Sequence, residues 1–211
     1  MSKNISEKSM ARQQQIIDVA ETIIANKGLN SLTARHIATE MSCAVGSLYR
    51  LFENLDAVII AVNLRTLYLL EKNVLKALDS SEYVIDGIKN MSLAYIDFVM
   101  EHKQRWHAVM EFHFEQGMLI PASYVAQQDR MFHLLEMQIS ILEPTANKHE
   151  LMLEARALWG GVEGLCALAL RGKLGDEKGC DIKAVITVLL QRFLDGRDSR
   201  IIRVKGGYNV T

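Results

Sequence analysis

The chain has 211 residues with 24 Lys plus Arg against 25 Asp plus Glu, so its formal net charge is only -1. That excludes a bulk polycation, and binding to nucleic acid or an anionic membrane would need a local basic patch. Half the residues are apolar (49%) and 23% are charged, a composition that buries a core without staples. Cys43, Cys166 and Cys180 are odd in number and widely spaced, which predicts neither a disulfide framework nor a metal knuckle but a reducing, cytoplasmic setting. Residues 1–15 are polar, so no secretory signal is expected, and apolar runs such as 57–62 fall far short of the ~20 residues of a membrane span.

Only 2 Pro interrupt the chain, and its periodicity is helical almost throughout. A first helix is expected over 10–27, with Ile16, Val19, Ala20 and Ile23 on one face and a stop at Gly28, after which Leu29 folds back on Ile24. Thr33 suits the N-cap of a second, short helix that carries Ile37, Ala38 and Met41 inward. A third runs from 45 to 52 with Leu48 and Phe52 on one face. Longer helices follow over 55–78, 82–101, 104–115, 121–143, 148–173 and 181–194. The 181–194 helix is capped by Asp181, and Gly172, Gly175 and Gly179 mark the loop before it. The last residues read as a basic flexible tail (Arg197, Arg200, Arg203, Lys205), with 201–204 able to pair as an edge strand. The expected fold is all-α: a three-helix N-terminal helix-turn-helix head over 1–55, a six-helix bundle over 56–196 and a tail over 197–211.

Two short helices joined by a tight turn and braced by a third form a helix-turn-helix. Ser42-Cys43-Ala44 are small enough for that turn, and Gly46 and Ser47 keep the second helix's outer face low enough to enter a major groove. Arg50 suits a bidentate guanine contact, its alternative being a solvated charge. Lys3, Lys8 and Arg12 form a basic arm, able to lie along a DNA backbone or to stay a free polar tail. Arg35 adds a further cation near the turn.

At these residues the chain resembles the TetR/AcrR family of bacterial transcriptional repressors. The resemblance runs through Thr33, Ile37, Ala38, Met41, Gly46, Ser47, Leu48, Tyr49, Phe52 and Val58, with Gly-Ser-Leu-Tyr-x-x-Phe at 46–52 as its most specific part. It implies that Thr33, Ser47 and Tyr49 contact phosphates and that Val45, Gly46 and Arg50 face base edges, with Ala44 at the start of the recognition helix. Three positions depart from the pattern: Ser42 stands for a turn glycine, Ala44 for a capping Ser or Thr, and Leu55 for a phosphate-binding Lys. Two lost phosphate contacts should weaken affinity and flatten its salt dependence. The resemblance also implies a helical ligand-binding and dimerisation domain after the head, with double-stranded palindromic DNA and a second copy as partners and an unidentified small molecule as effector.

Gly160, Gly161 and Gly164 each cost ~1 kcal/mol in a helix interior. With Ala157 they make a smooth face, which with Val185, Val188, Leu189 and Phe193 suits a four-helix dimer interface. A close crossing inside one chain is the alternative. Trp106, Met110, His113, Tyr124, Met131, Trp159 and Cys166 are candidate walls of an apolar ligand cavity, or ordinary core. Glu163 is an acid in an apolar stripe; it pairs with an internal cation, contacts a ligand or reaches solvent. His107 and Glu111 are four apart but lack a third ligand, so no metal is expected. No phosphate loop or nucleophile–base spacing supports an enzyme or a cofactor.

Overall fold

In the computed structural model the described residues are 7–114, 120–174 and 181–202. Lys3, Gly117, Gly175, Gly179, Cys180, Arg203 and Lys205 lie outside them. Nine α-helices are present among the described residues: α1 (Glu7–Lys27), α2 (Ala34–Glu40), α3 (Val45–Tyr49), α4 (Leu55–Asp79), α5 (Val84–Glu101), α6 (Lys103–Glu111), α7 (Ala122–Leu142), α8 (Lys148–Leu170) and α9 (Ile182–Phe193). One 3-10 turn, Leu29–Ser31, follows α1. No described helix is long and apolar enough to cross a membrane.

Local chemistry accounts for most helix ends. Gly28 takes φ +80°, which stops α1 where the sequence places the stop. The Thr33 hydroxyl accepts the His36 N–H at 3.0 Å and caps α2. Asp181 caps α9 through the Lys183 N–H at 3.1 Å. Asn147 and Glu150 close a reciprocal capping box on α8: the Asn147 Oδ1 accepts the Glu150 N–H at 3.1 Å, and Glu150 Oε2 accepts the Asn147 N–H at 2.8 Å.

The residues sort into two compact units. The first comprises Met1–Tyr68 and His102–Tyr124, so it takes in α6 and the first half of α4 as well as the three N-terminal helices. Its core gathers Ile16, Ala20, Ile23 and Ile24 of α1, Ile37 of α2, Leu48 of α3, Val58 and Val62 of α4 and Ala108 of α6. A polar network flanks that core. Glu21 accepts from Arg65 and Arg105, each at 2.9 Å, and Asp18 accepts from Arg65 at 2.8 Å. Asn63, fully buried, donates its amide to the Ala108 carbonyl at 3.0 Å. Five side chains thus tie α1, α4 and α6 together.

The second unit comprises Leu69–Glu101 and Val125–Thr211. Its core is apolar, with Leu70, Val74, Ile88, Ile96, Ile139, Leu158, Val162 and Ile186 sealed from solvent. Buried Glu71 is answered by Gln127 at 2.6 Å and by Arg130 at 2.9 Å, which fixes the second half of α4 against α7. Asp97 pairs with Lys183 at 2.5 Å and joins α5 to α9.

The segment after α9 differs from the solvated, flexible tail its charge suggests. Arg197 bonds Glu143 at 3.2 Å and Glu154 at 2.6 Å and lies over the Phe193 ring. Ile202 makes an antiparallel bridge with Tyr83, and the Val84 N–H reaches the Ile201 carbonyl at 3.0 Å. Two carboxylates, Glu143 just after α7 and Glu154 on α8, give Arg197 partners that no local spacing reveals. Arg200 remains exposed and pairs with Asp198.

Candidate functional site

The head presents α3 outward. After α2 the chain turns through Ser42, which takes φ +49° where a glycine would be unstrained. The turn is closed by the Cys43 N–H on the Ala38 carbonyl at 2.9 Å. Ala44 sits at the N-cap of α3 with no side-chain bond, and the Ser47 N–H closes on its carbonyl at 2.9 Å. A Cβ on Gly46 would meet nothing within 4 Å, hence another backbone can approach there. Arg50 Nη2 donates to the Ser47 hydroxyl at 3.1 Å, which holds a cation and a hydroxyl side by side. Tyr49 is 49% exposed.

Two grooves flank α3. One is lined by Arg35, Ala38, Thr39 and the turn to Val45. The other runs between α1 and α3, with Lys8, Arg12, Ser47 and Arg50 on its walls. Gln13 bonds the Leu51 carbonyl at 2.9 Å and fixes α1 beside the end of α3. The expected DNA-facing set Lys8, Arg12, Thr33, Arg35, Ala44, Val45, Gly46, Ser47, Tyr49 and Arg50 therefore lies on this one unit, most of it along the two grooves. Leu55 begins α4, and Asn54 caps it by accepting the Ala57 N–H at 2.8 Å.

The residues expected to line a cavity fall into two groups. Trp106, Met110, His113 and Tyr124 belong to the first unit. Trp106 and Tyr124 are buried, and Tyr124 stacks edge-on with Phe114 at 5.3 Å. Burial pushes the Tyr124 phenol above its ordinary pKa against a bond from Asn63. Met110 and His113 are exposed, and the His113 ring lies on the Glu111 carbonyl at 2.6 Å. The helical spacing of that stripe fails because α6 ends at Glu111, so His113 is no longer on the helix. His107 and Glu111 make an exposed pair at 3.2 Å.

Met131, Trp159, Glu163 and Cys166 belong to the second unit. Met131 and Trp159 line one apolar cavity with Val74, Met91, Ser92, Tyr95, Leu135, Leu158 and Val162. Its volume is about 20 Å3, room for about one water. The Tyr95 and Trp159 rings meet in its wall at 4.7 Å. Glu163 is half-buried, and its Oε2 is shielded from solvent without a hydrogen-bond partner. Burial pushes its carboxyl up to about 7. Cys166 is fully buried, and burial, with the nearby Glu163 charge, pushes its thiol up to about 12. Sequence reading passed over Glu71 and Gln127 because an isolated polar residue does not announce a partner 56 residues away. Among the described residues, no cluster of three His, Cys, Asp or Glu is gathered for a metal.

The expected interface residues divide by what they meet in their own chain. A Cβ on Gly161 would come 3.0 Å from Leu189 Cδ2, so that glycine serves the α8–α9 crossing. Gly160 and Gly164 face open space. Around them Ala157 is exposed, as are Leu153 (52%), Leu168 (40%) and Val188 (55%), which leaves an apolar stripe along α8 and α9. Val185, Leu189 and Phe193 are half-buried beside it.

An exposed short helix on a braced helix-turn-helix, joined to a second helical unit, defines a helix-turn-helix regulator. Residues 16–62 match the profile of bacterial regulatory proteins of the tetR family. Residues 88–193, half of the chain, match the tetracyclin repressor-like C-terminal domain. The chain belongs to the TetR family of transcriptional regulators. Similar solved structures share the fold. A protein of unknown function from Rhodococcus sp. RHA1 superposes with TM-score 0.74 at 16% identity, covering 88% of this chain and 94% of that one. A TetR-like transcriptional regulator from the same source gives 0.62 at 20% identity, covering 88% and 96%. The fatty acid degradation regulator FadR from Bacillus halodurans gives 0.64 at 16% identity, covering 88% and 95%. No curated protein sequence matches significantly.

Proposed function

We propose that this regulator is a cytoplasmic homodimeric repressor that binds a palindromic operator through residues 1–55 and is relieved by a mostly apolar small molecule bound within 56–196. The carrying observation is the outer face of α3, where Gly46 is open, Tyr49 is exposed and Arg50 is bonded to Ser47. Such a surface suits the approach of a phosphate backbone and supports a role for the Arg50 guanidinium at base edges. One copy reads one half-site. The open Gly160–Gly164 stripe is the natural seat of a second copy, whose recognition helix would lie about 34–36 Å away. An effector acts by its differential affinity for the DNA-competent and released states. Neither catalysis nor a cofactor enters this reading.

Selection of genomic fragments by the purified protein at ~150 mM salt tests it, a range in which weak phosphate-only binding is largely screened. A recovered palindrome whose mobility shift is lost or relaxed in Arg50→Ala supports readout by α3. Sequence-blind binding alone refutes it. A second reading has its own observation: a cavity of only about 20 Å3 suits an effector-independent DNA- or protein-binding scaffold with the same fold. In that case no small molecule shifts the melting temperature or the DNA affinity.

A further inference from the structure

The surroundings of α3 are charged unevenly. The groove between α1 and α3 has a volume of about 670 Å3, and its walls carry Lys8, Arg12 and Arg50 but no acid. Each guanidinium is steadied by a neutral oxygen of the same walls: Arg12 Nη1 donates to Gln15 Oε1 at 3.0 Å, and Arg50 Nη2 to the Ser47 hydroxyl at 3.1 Å. The acids of α1 are placed elsewhere. Asp18 and Glu21 bond Arg65, and Glu7 is exposed and off the walls. Three positive charges thus stand in one groove without an opposing one. The bond from Gln13 to the Leu51 carbonyl at 2.9 Å joins α1 to the end of α3, so the fold itself sets the walls' spacing. The start of α4, just after α3, is the reverse. Leu55 lies between the nearby acids Glu53 and Asp56, and residues 51–64 contain no Lys or Arg. The first cation of α4, Arg65, is taken by Asp18 and Glu21.

A DNA strand carries one negative charge per phosphate, and a protein gains affinity where its cations displace the counterions around those phosphates. A cation already paired with an acid must first give up that pair, whereas the cations of the α1–α3 groove have none to give up. Two acids without a nearby cation, as at the start of α4, repel the same strand. We propose that the α1–α3 groove is the seat of the DNA backbone in this head, with Lys8 and Arg12 of the α1 wall holding its phosphates. Arg50, tied to Ser47 on the α3 wall, is left for the base edges. The inference rests on the DNA-binding reading above and assigns its phosphate contacts.

Fluorescence anisotropy of the full chain on a random-sequence duplex and on the selected palindrome, from ~50 to ~200 mM salt, provides the test. Lys8→Gln and Arg12→Gln should each flatten the slope of log affinity against log salt by about 0.9. Each should weaken both duplexes alike, about tenfold near ~100 mM salt. Lys27→Gln removes an exposed cation at the last residue of α1 and should leave the slope as it is. Thermal melts check folding; if Arg12→Gln melts early through loss of its bond to Gln15, Arg12→Lys keeps the charge and should keep the slope. Slopes unmoved by Lys8→Gln and Arg12→Gln overturn the groove as the phosphate seat while the DNA-binding reading survives. Equal flattening by Lys27→Gln also overturns it, since the effect would then belong to the general field of the head. A wild-type chain that binds neither duplex at ~50 mM salt overturns both readings.

Discussion

The two units differ in how completely their shielded carboxylates are answered. In the first, Glu21 lies between Arg65 and Arg105, and Asp18 shares Arg65, so each acid has a cation from another helix. In the second, Glu71 is likewise answered, but the Glu163 Oε2 is shielded without a hydrogen-bond partner. Answered charges hold helices in one arrangement, since moving α6 off α1 would take the Arg105 guanidinium from its carboxylate. An unanswered charge does nothing for the fold and points to something outside it.

The sharpest way to break that contrast is to remove the answer. Glu21→Ala would leave Arg105, mostly buried, without its carboxylate and Arg65 with one partner. We expect a loss of about 3 kcal/mol in urea unfolding, the range for stranding a buried charge. Loss under about 0.5 kcal/mol would mean that the network is surface decoration. Next in size is Arg50→Ala, expected to cost about 2 kcal/mol of operator affinity, close to thirtyfold, while thermal stability is untouched. A uniform drop on all sequences would instead make Arg50 a phosphate contact.

Glycines sharpen the comparison on the α8 surface. Gly161→Ala would push a Cβ to 3.0 Å from Leu189 and disturb the α8–α9 crossing within the protomer. Gly160→Ala and Gly164→Ala meet nothing there, and each should gain about 1 kcal/mol of helix stability in a monomer. If this face holds a second copy, the same two changes raise the dimer dissociation constant in sedimentation equilibrium. A dimer indifferent to both changes would move the interface elsewhere.

Much of this arrangement was legible in the residues, and the divide is physical. Caps and stops are local chemistry, so Thr33, Gly28 and Asp181 announced the ends of their helices. The 3.6-residue period exposed the buried faces, and the Gly46–Phe52 stretch carried the family resemblance. What stayed hidden was long-range. Periodicity tells which face of a helix is apolar but not what lies across from it. Arg197 finds Glu154 at 43 residues' separation, and Asn63 finds Ala108 at 45. The same limit hid the end of α6 at Glu111, which takes His113 off the helix, and the exposure of Met110. The candidate ligand site was half legible: Trp159 and Met131 do share a cavity, while Glu163's lack of a partner required the fold.

The smallest expected effect is the most diagnostic of the unanswered acid. Burial raises the Glu163 carboxyl from 4.5 to about 7. The folded chain therefore holds that proton more tightly than the unfolded chain does. Below about pH 4.5 the group is protonated in both states and contributes no difference. As pH climbs from 4.5 to 7 the unfolded chain ionises first, and stability falls. Above 7 both states are ionised and the penalty is constant, trimmed by the group's partial contact with water. Glu163→Gln carries no such proton, so its stability lacks this descent. The gap between variant and wild type in urea midpoint should open across pH 4.5–7 and then plateau, in favour of Gln. Parallel profiles would show that the carboxylate is already answered by solvent.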